Sequence, residues 1–205
     1  MARDGKPTRD KILAESKALV LENGFSGTSI DQILLRTNIT KGAFFYHFKS
    51  KADLAKTLID DFSSEDLADL DEALRETEAL TGDPLQRLLQ FIQRYIDMMA
   101  KLESPYPGCL YASYIYEPSQ FSDDIKEKIS SSILTWRREL GGMLDETLKT
   151  HRMKIPVDKE SLADQFTVIL EGAFVVSKAL NEPQLTARQL KHFKNYVELM
   201  FEKRA

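Results

Sequence analysis

The chain has 205 residues, 42% of them hydrophobic and 29% charged, which is the balance of an ordinary globular protein large enough for one domain or two small ones. No run approaches the ~18–20 apolar residues of a membrane span. A polar, charged N-terminus without an export signal and a single cysteine, Cys109, exclude an internal disulfide and point to the reducing cytoplasm. Net charge is −4, yet residues 1–56 carry ten Lys and Arg against six Asp and Glu, and the remainder carries 18 against 26. A basic head on an acidic body is the footprint of a polyanion-binding surface confined to one end.

Periodicity is helical throughout and no alternating strand stands out, so an all-α fold of about nine helices is expected. The first helix spans 8–23, with Ile12, Ser16, Leu19 and Val20 on one face and Gly24 as a left-handed stop. Thr28 and Asp31 suit a cap and its partner for a helix over 29–36, and Thr40 caps 41–47. Ser50 with Asp53 opens a long helix, 51–79. Thr81-Gly82-Asp83-Pro84 breaks the pattern, with Asp83 as cap and Pro84 at the first position of 84–102. Ser104-Pro105-Tyr106-Pro107-Gly108 is the clearest interruption, followed by a helix over 109–117 that ends near Pro118. Ser122 caps 123–150, Pro156 precedes 159–180, and Pro183 with Thr186 precedes 187–203.

The segment from Thr28 to Phe48 has the parts of a helix-turn-helix, the unit that lays its second helix in the DNA major groove. Ile30, Ile33 and Leu34 give the first of the two helices one apolar face. Asn38 stands at the turn, where a positive φ is needed and Asn tolerates it. Ile39 plugs the angle, and Phe44 and Phe48 bury one face of the second helix against Ile12, Leu19 and Val20. The opposite face carries Thr40, Lys41, Ala43, Tyr46 and His47, side chains suited to phosphates and base edges. Gly42 within a helix costs about 1 kcal/mol relative to Ala, which points to a close approach of backbone to DNA. Thr28 and Lys51, at the starts of flanking helices, suit phosphate binding, and Arg3, Lys6 and Arg9 form a basic arm. The plainer alternative is a structural bundle with a solvated polar face.

Ile12, Gly24-Phe25, Thr28, Ile33, Lys41-Gly42, Phe48 and Ser50-Lys51, in this order and spacing, resemble the N-terminal domain of the TetR family of transcriptional regulators over residues 8–55. The resemblance implies an all-helical homodimer, usually a repressor, whose C-terminal body binds a small-molecule inducer. It puts Thr28, Thr40, Lys41, Ala43, Tyr46, His47 and Lys51 on DNA-contacting positions. Two departures stand out. Asn38 replaces a frequent Gly, and Phe45 replaces a Tyr whose hydroxyl often touches phosphate, so that Tyr46 or His47 would supply that contact. The expected organisation is a DNA-binding head, 1–48, and a ligand-binding and dimerisation body, 49–205.

In the body, Phe91, Tyr95, Met99, Tyr114, Trp136, Phe166 and Phe174 would line an apolar cavity for a small apolar or aromatic effector. Such stripes are more often simply core. Gly108-Cys109-Leu110 resembles a subgroup of the family in which some members sense oxidants or electrophiles through this cysteine. The first turn of a helix favours the reactive thiolate, whereas a structural reading makes Cys109 a small hydrophobe. The helix over 159–180 is apolar on two sides, through Leu162, Phe166, Ile169 and Ala173 and through Val168, Gly172, Val175, Val176 and Ala179. With Leu190, Phe193, Val197 and Phe201 of the last helix it suits a four-helix homodimer interface, hence a palindromic double-stranded DNA operator. An enzyme reading finds little. His47, His151 and His192 are scattered, and no phosphate- or dinucleotide-binding glycine loop is present, so no metal and no cofactor is expected. A helical adaptor without affinity for DNA is the remaining alternative.

Overall fold

The computed structural model describes residues 5–80, 82–117 and 120–204, so Arg3, Thr81 and Pro118 lie outside it. Among the described residues the chain forms α1 (Lys6–Gly27), α2 (Ile30–Thr37), α3 (Lys41–His47), α4 (Lys51–Leu80), α5 (Pro84–Ala100), α6 (Leu110–Ile115), α7 (Asp123–Thr150), β1 (His151–Met153), α8 (Lys159–Leu180), α9 (Leu185–Met200) and β2 (Phe201–Lys203). Two compact units result, Met1–Glu65 with Pro107–Ser130 and Asp66–Tyr106 with Ser131–Ala205, with boundaries inside α4, in the connection between α5 and α6, and inside α7.

In the first unit, Ile12, Leu19, Val20, Ile33, Phe44, Phe48, Leu54 and Ile59 form one buried core that also takes in Leu110, Tyr111 and Tyr114 of α6. Burial of each such side chain contributes about 1.5–3 kcal/mol. Arg36 on α2 reaches back to α1, donating to Glu15 at 3.0 Å and to Glu22 at 2.8 and 2.9 Å. The hydrogen bonds it donates to Glu22 and then to Glu15 raise its pKa. The first of the two short helices is capped one residue later than the sequence suggests. Ser29, not Thr28, is the cap of α2, because Gln32 and Ser29 exchange side-chain and backbone bonds at 2.7 and 3.2 Å. Thr28 is buried and instead donates its hydroxyl to Gly24 O at 2.8 Å. Gly24 leaves helical geometry at φ 76°, a break where the sequence places the stop, and a further short turn beyond this kink carries α1 to Gly27.

In the second unit, α5 supplies Leu88, Leu89, Phe91, Ile92 and Tyr95 to a core shared with Leu162, Phe166, Leu190, Phe193 and Val197. Asp83 caps α5 through Gln86 N–H at 3.1 Å, as expected, but α5 ends at Ala100, two residues short of the expected end. The largest departure is at the C-terminus. The last helix runs from Leu185 to Met200, and residues 201–203 pair antiparallel with 151–153, Met153 opposite Phe201. The fold is therefore helical with one minimal two-stranded ribbon. Phe201 is buried, so the strand seals the end of the core rather than extending the helix.

Candidate nucleic-acid interface and effector core

The turn between α2 and α3 is built as its residues require. Asn38 takes φ 53° and its N–H bonds the carbonyls of Leu34 and Leu35. Half-buried Ile39 packs beneath it against the core. Thr40 then caps α3, its hydroxyl accepting from Ala43 N–H at 3.2 Å. Phe44 and Phe48 point inward with ring centroids 5.9 Å apart. That leaves Thr40, Lys41, Gly42 and Tyr46 exposed and Ala43 and His47 half-exposed on the other side. Tyr46 is 82% exposed, its ring meeting His47 edge-on at 5.0 Å. A Cβ on Gly42 would meet nothing nearer than Thr40 Oγ1 at 4.0 Å, so no neighbour within the protein requires a glycine there. Phe45 lies with its ring edge-on to Phe44 at 5.3 Å and is 41% exposed. Arg9 stacks over Phe48 at 5.5 Å, and Lys6 pairs with Asp10 at 3.0 Å.

The flanking candidates sit differently. Thr28 has its hydroxyl committed to Gly24, as above. Lys51 donates to Phe25 O at 2.5 Å and lies 4.1 Å above the Phe25 ring. Burial lowers the Lys51 pKa, and Glu117 opposes that shift. Phe25 enters the sequence reading only through the Gly24-Phe25 match, and Glu117 has no role assigned there. The only local signal was the glycine before Phe25, and Glu117 is 92 residues away.

Of the effector candidates, Phe91, Tyr95, Trp136 and Phe166 converge in the second unit. Ring centroids lie 5.2 Å apart for Phe91–Tyr95, 5.5 Å for Phe91–Phe166 and 5.8 Å for the stacked Trp136–Phe166 pair. Both polar tips are satisfied by α4. Tyr95 donates to Asp69 at 2.8 Å and Trp136 to Asp66 at 2.9 Å. Burial first, and then Asp69, push the Tyr95 phenol pKa up. Arg94 joins the same strip through Asp69 and Glu76, each at 2.9 Å. Met99 is buried in the same core, and Phe174 stacks on Tyr106 at 4.6 Å. Tyr114 and Cys109 belong to the first unit. Tyr114 stacks on Phe121 at 4.2 Å and donates to Ala55 O at 3.2 Å, and burial raises its pKa. Half-buried Cys109 is the residue before α6, not part of its first turn. Around the rings the packing is tight, with a void of about 10 Å³ that Phe166 lines together with Ile92, Leu140 and Phe193. A wider cleft of about 310 Å³ lies between Leu74, Pro84 and Met143, with Glu78, Arg87, Glu139 and Glu146 around it.

A recognition helix held by an αL turn, capped at its start and polar on its free face, defines a helix-turn-helix DNA-binding regulator. Residues 12–58 match the family described as bacterial regulatory proteins, tetR family, and residues 84–193 match the tetracyclin repressor-like C-terminal domain. The chain is 25% identical over 177 residues to the transcriptional regulator AcuR of Cereibacter sphaeroides, covering 86% of this chain and 79% of that one. It is 24% identical over 173 residues to the HTH-type transcriptional repressor DhaR of a Mycobacterium species, covering 84% and 83%. The crystal structure of reduced Escherichia coli NemR superposes with a TM-score of 0.72 over 97% of this chain and 99% of that one, at 20% identity, and so shares the fold. The chain belongs to the tetR family of bacterial regulatory proteins, and it is a DNA-binding transcriptional regulator.

Proposed function

We propose that this regulator is a homodimeric, cytoplasmic repressor that sits on a palindromic double-stranded DNA operator and is released by a small apolar or aromatic effector. The observation that carries the reading is the free face of α3, where Thr40, Lys41, Gly42, Ala43, Tyr46 and His47 line one side, Tyr46 is 82% exposed and a Cβ on Gly42 would meet nothing nearer than Thr40 Oγ1. Phe45 brings no hydroxyl to phosphate, and exposed Tyr46 takes that part. Thr28 and Lys51 act from behind the recognition helix. Residues 1–48 read DNA, and residues 49–205 bind the effector and pair the protomers. DhaR, a relative of similar length, is itself a repressor by name. Among the described residues no helix is long and apolar enough to cross a membrane.

The pairing surface is the outer side of α8. Val168, Gly172, Val175, Val176, Ala179 and Leu180 are exposed there, and Tyr196 and Leu199 are exposed on α9. The other α9 stripe, Leu190, Phe193 and Val197, is used up in the protomer's own core. An apolar patch of this kind marks an association surface. Pairing about a two-fold axis would set two α3 helices one turn of DNA apart, about 34–36 Å, or a multiple of it.

The effector reading rests on Phe91, Tyr95, Met99, Trp136, Phe166 and Phe174. These rings pack against one another at 5.2–5.8 Å, and the void that Phe166 lines beside them is about 10 Å³, so a ligand entering there would have to move side chains apart. It would then favour a different packing of the core, and that differential affinity is what shifts a regulator between states. Tyr114 and Cys109 offer a second route through α6, which packs against α1. Selection of bound sequences from a random duplex pool, followed by release tests with aromatic and electrophilic small molecules, tests the whole reading. Enrichment of a palindrome is expected. Lys41→Ala should then weaken binding to that duplex by about 1–3 kcal/mol, and an unchanged titration curve would remove Lys41 from the interface. If an electrophile such as N-ethylmaleimide lowers operator affinity through Cys109, the Cys109→Ser protein should not respond. An equal response would exclude the thiol.

A further inference from the structure

The peptide that joins α1 to the helix-turn-helix is held by two opposite charges. Glu117 Oε1 accepts from Phe25 N–H and Oε2 from Ser26 N–H, both at 2.9 Å, and the Ser26 hydroxyl donates to the same carboxylate. On the other side of Phe25, Lys51 donates to its carbonyl at 2.5 Å. One residue is therefore gripped at its N–H by an anion and at its C=O by a cation. Its ring is enclosed as well, with Lys51 at 4.1 Å on one side and Phe121 and Tyr114 at 4.6 and 5.5 Å. All of these residues belong to one compact unit. The glycine that precedes them completes the arrangement. Gly24 turns the chain at φ 76°, and a Cβ there would stand 2.9 Å from Glu117 Oε1. The break frees two successive amides to face one carboxylate, the geometry of a backbone anion nest.

We infer that Glu117 and Lys51 are positioning residues for DNA binding, clamping the Phe25 peptide and so fixing how α2 and α3 are presented from α1 and α4. The inference rests on the DNA-reading role of α3. The clamp joins three elements at one point, the end of α1, the start of α4 and the segment after α6, and α2 begins only four residues beyond Ser26. Lys51 is thereby an internal cation. A basic side chain at the foot of a DNA-binding head is ordinarily counted as a phosphate contact, but this one bonds a carbonyl and has Glu117 as counter-charge.

Salt dependence separates the two roles, because each phosphate neutralised by a protein cation contributes about −0.9 to the slope of log K against log salt. The experiment measures affinity of the full-length wild type, Lys51→Gln and Glu117→Gln for the duplex the wild type enriches from a random pool. Titrations run at several salt concentrations, at a temperature where circular dichroism finds all three folded, and amide hydrogen exchange is followed at Phe25 and Ser26. Both variants should bind about tenfold more weakly, with the wild-type slope and faster exchange at both amides. A Lys51→Gln slope shallower by about two, one phosphate lost per protomer of the dimer, would make Lys51 a phosphate contact and overturn its part. Undiminished affinity in Glu117→Gln would reduce the carboxylate to a helix cap. Should Glu117→Gln fail to fold, the Lys51→Gln slope decides alone. A wild type that binds no duplex refutes the DNA reading itself, a result distinct from a wild type that binds and variants that bind equally well.

Discussion

Val175→Asp is expected to convert the dimer to a monomer and to lower operator affinity about 100-fold or more, the scale on which bivalent binding exceeds monovalent. Val175 is 63% exposed on α8 beside Val168 at 65%, so the free protomer tolerates a polar side chain there. Only in a two-fold pair does the substitution bring two carboxylates together in an apolar seam, where unpaired charge is costly. Sedimentation velocity should show half the mass, while thermal unfolding extrapolated to low protein concentration should be nearly unchanged. A dimer that survives with full operator affinity would put the pairing surface elsewhere.

Phe44→Ala should be the most damaging single change in the head. Phe44 is fully buried and packs against Phe45 and Phe48. Truncating such a side chain costs about 3–5 kcal/mol, a large part of the ~5–15 kcal/mol that holds a typical domain folded. DNA binding should be lost because Phe44 is the one buried side chain within α3 itself. Calorimetry should record a transition lowered by at least ~10 °C. A shift of only a degree or two would mean that the recognition helix is held by its caps rather than by its core.

The helical content and several boundaries were legible in the chain because the signals are local. The cap at Thr40, the αL residue Asn38, and the spacing of Phe44 and Phe48 define α3 without help from distant residues. Caps decide a start only when one candidate stands alone. Thr28 has an acidic residue three positions on, yet its hydroxyl is turned to Gly24 O, and Ser29 with Gln32 forms the cap instead. The β1–β2 ribbon was illegible because three residues carry no period and the strands lie about 50 residues apart. The candidate site divided along the same line. The α3 face follows from helical geometry alone. The Glu117 clamp depends on the chain returning to the first unit at residues 107–130, which no local pattern announces. That return also separates Cys109 and Tyr114 from the rings of Phe91, Tyr95, Trp136 and Phe166, which residue type alone had grouped together.

The central claim is that the face of α3 reads duplex DNA. Affinity for the enriched palindrome and for a scrambled duplex of equal length, measured from about 50 to 200 mM salt, tests it most directly. If α3 reads DNA, log K falls linearly with log salt, by about 10³-fold or more if six or more phosphates are contacted. At every salt concentration the palindrome should bind at least about 10³-fold more tightly than the scrambled duplex. Equal affinity for the two duplexes, or affinity that does not change with salt, would contradict it.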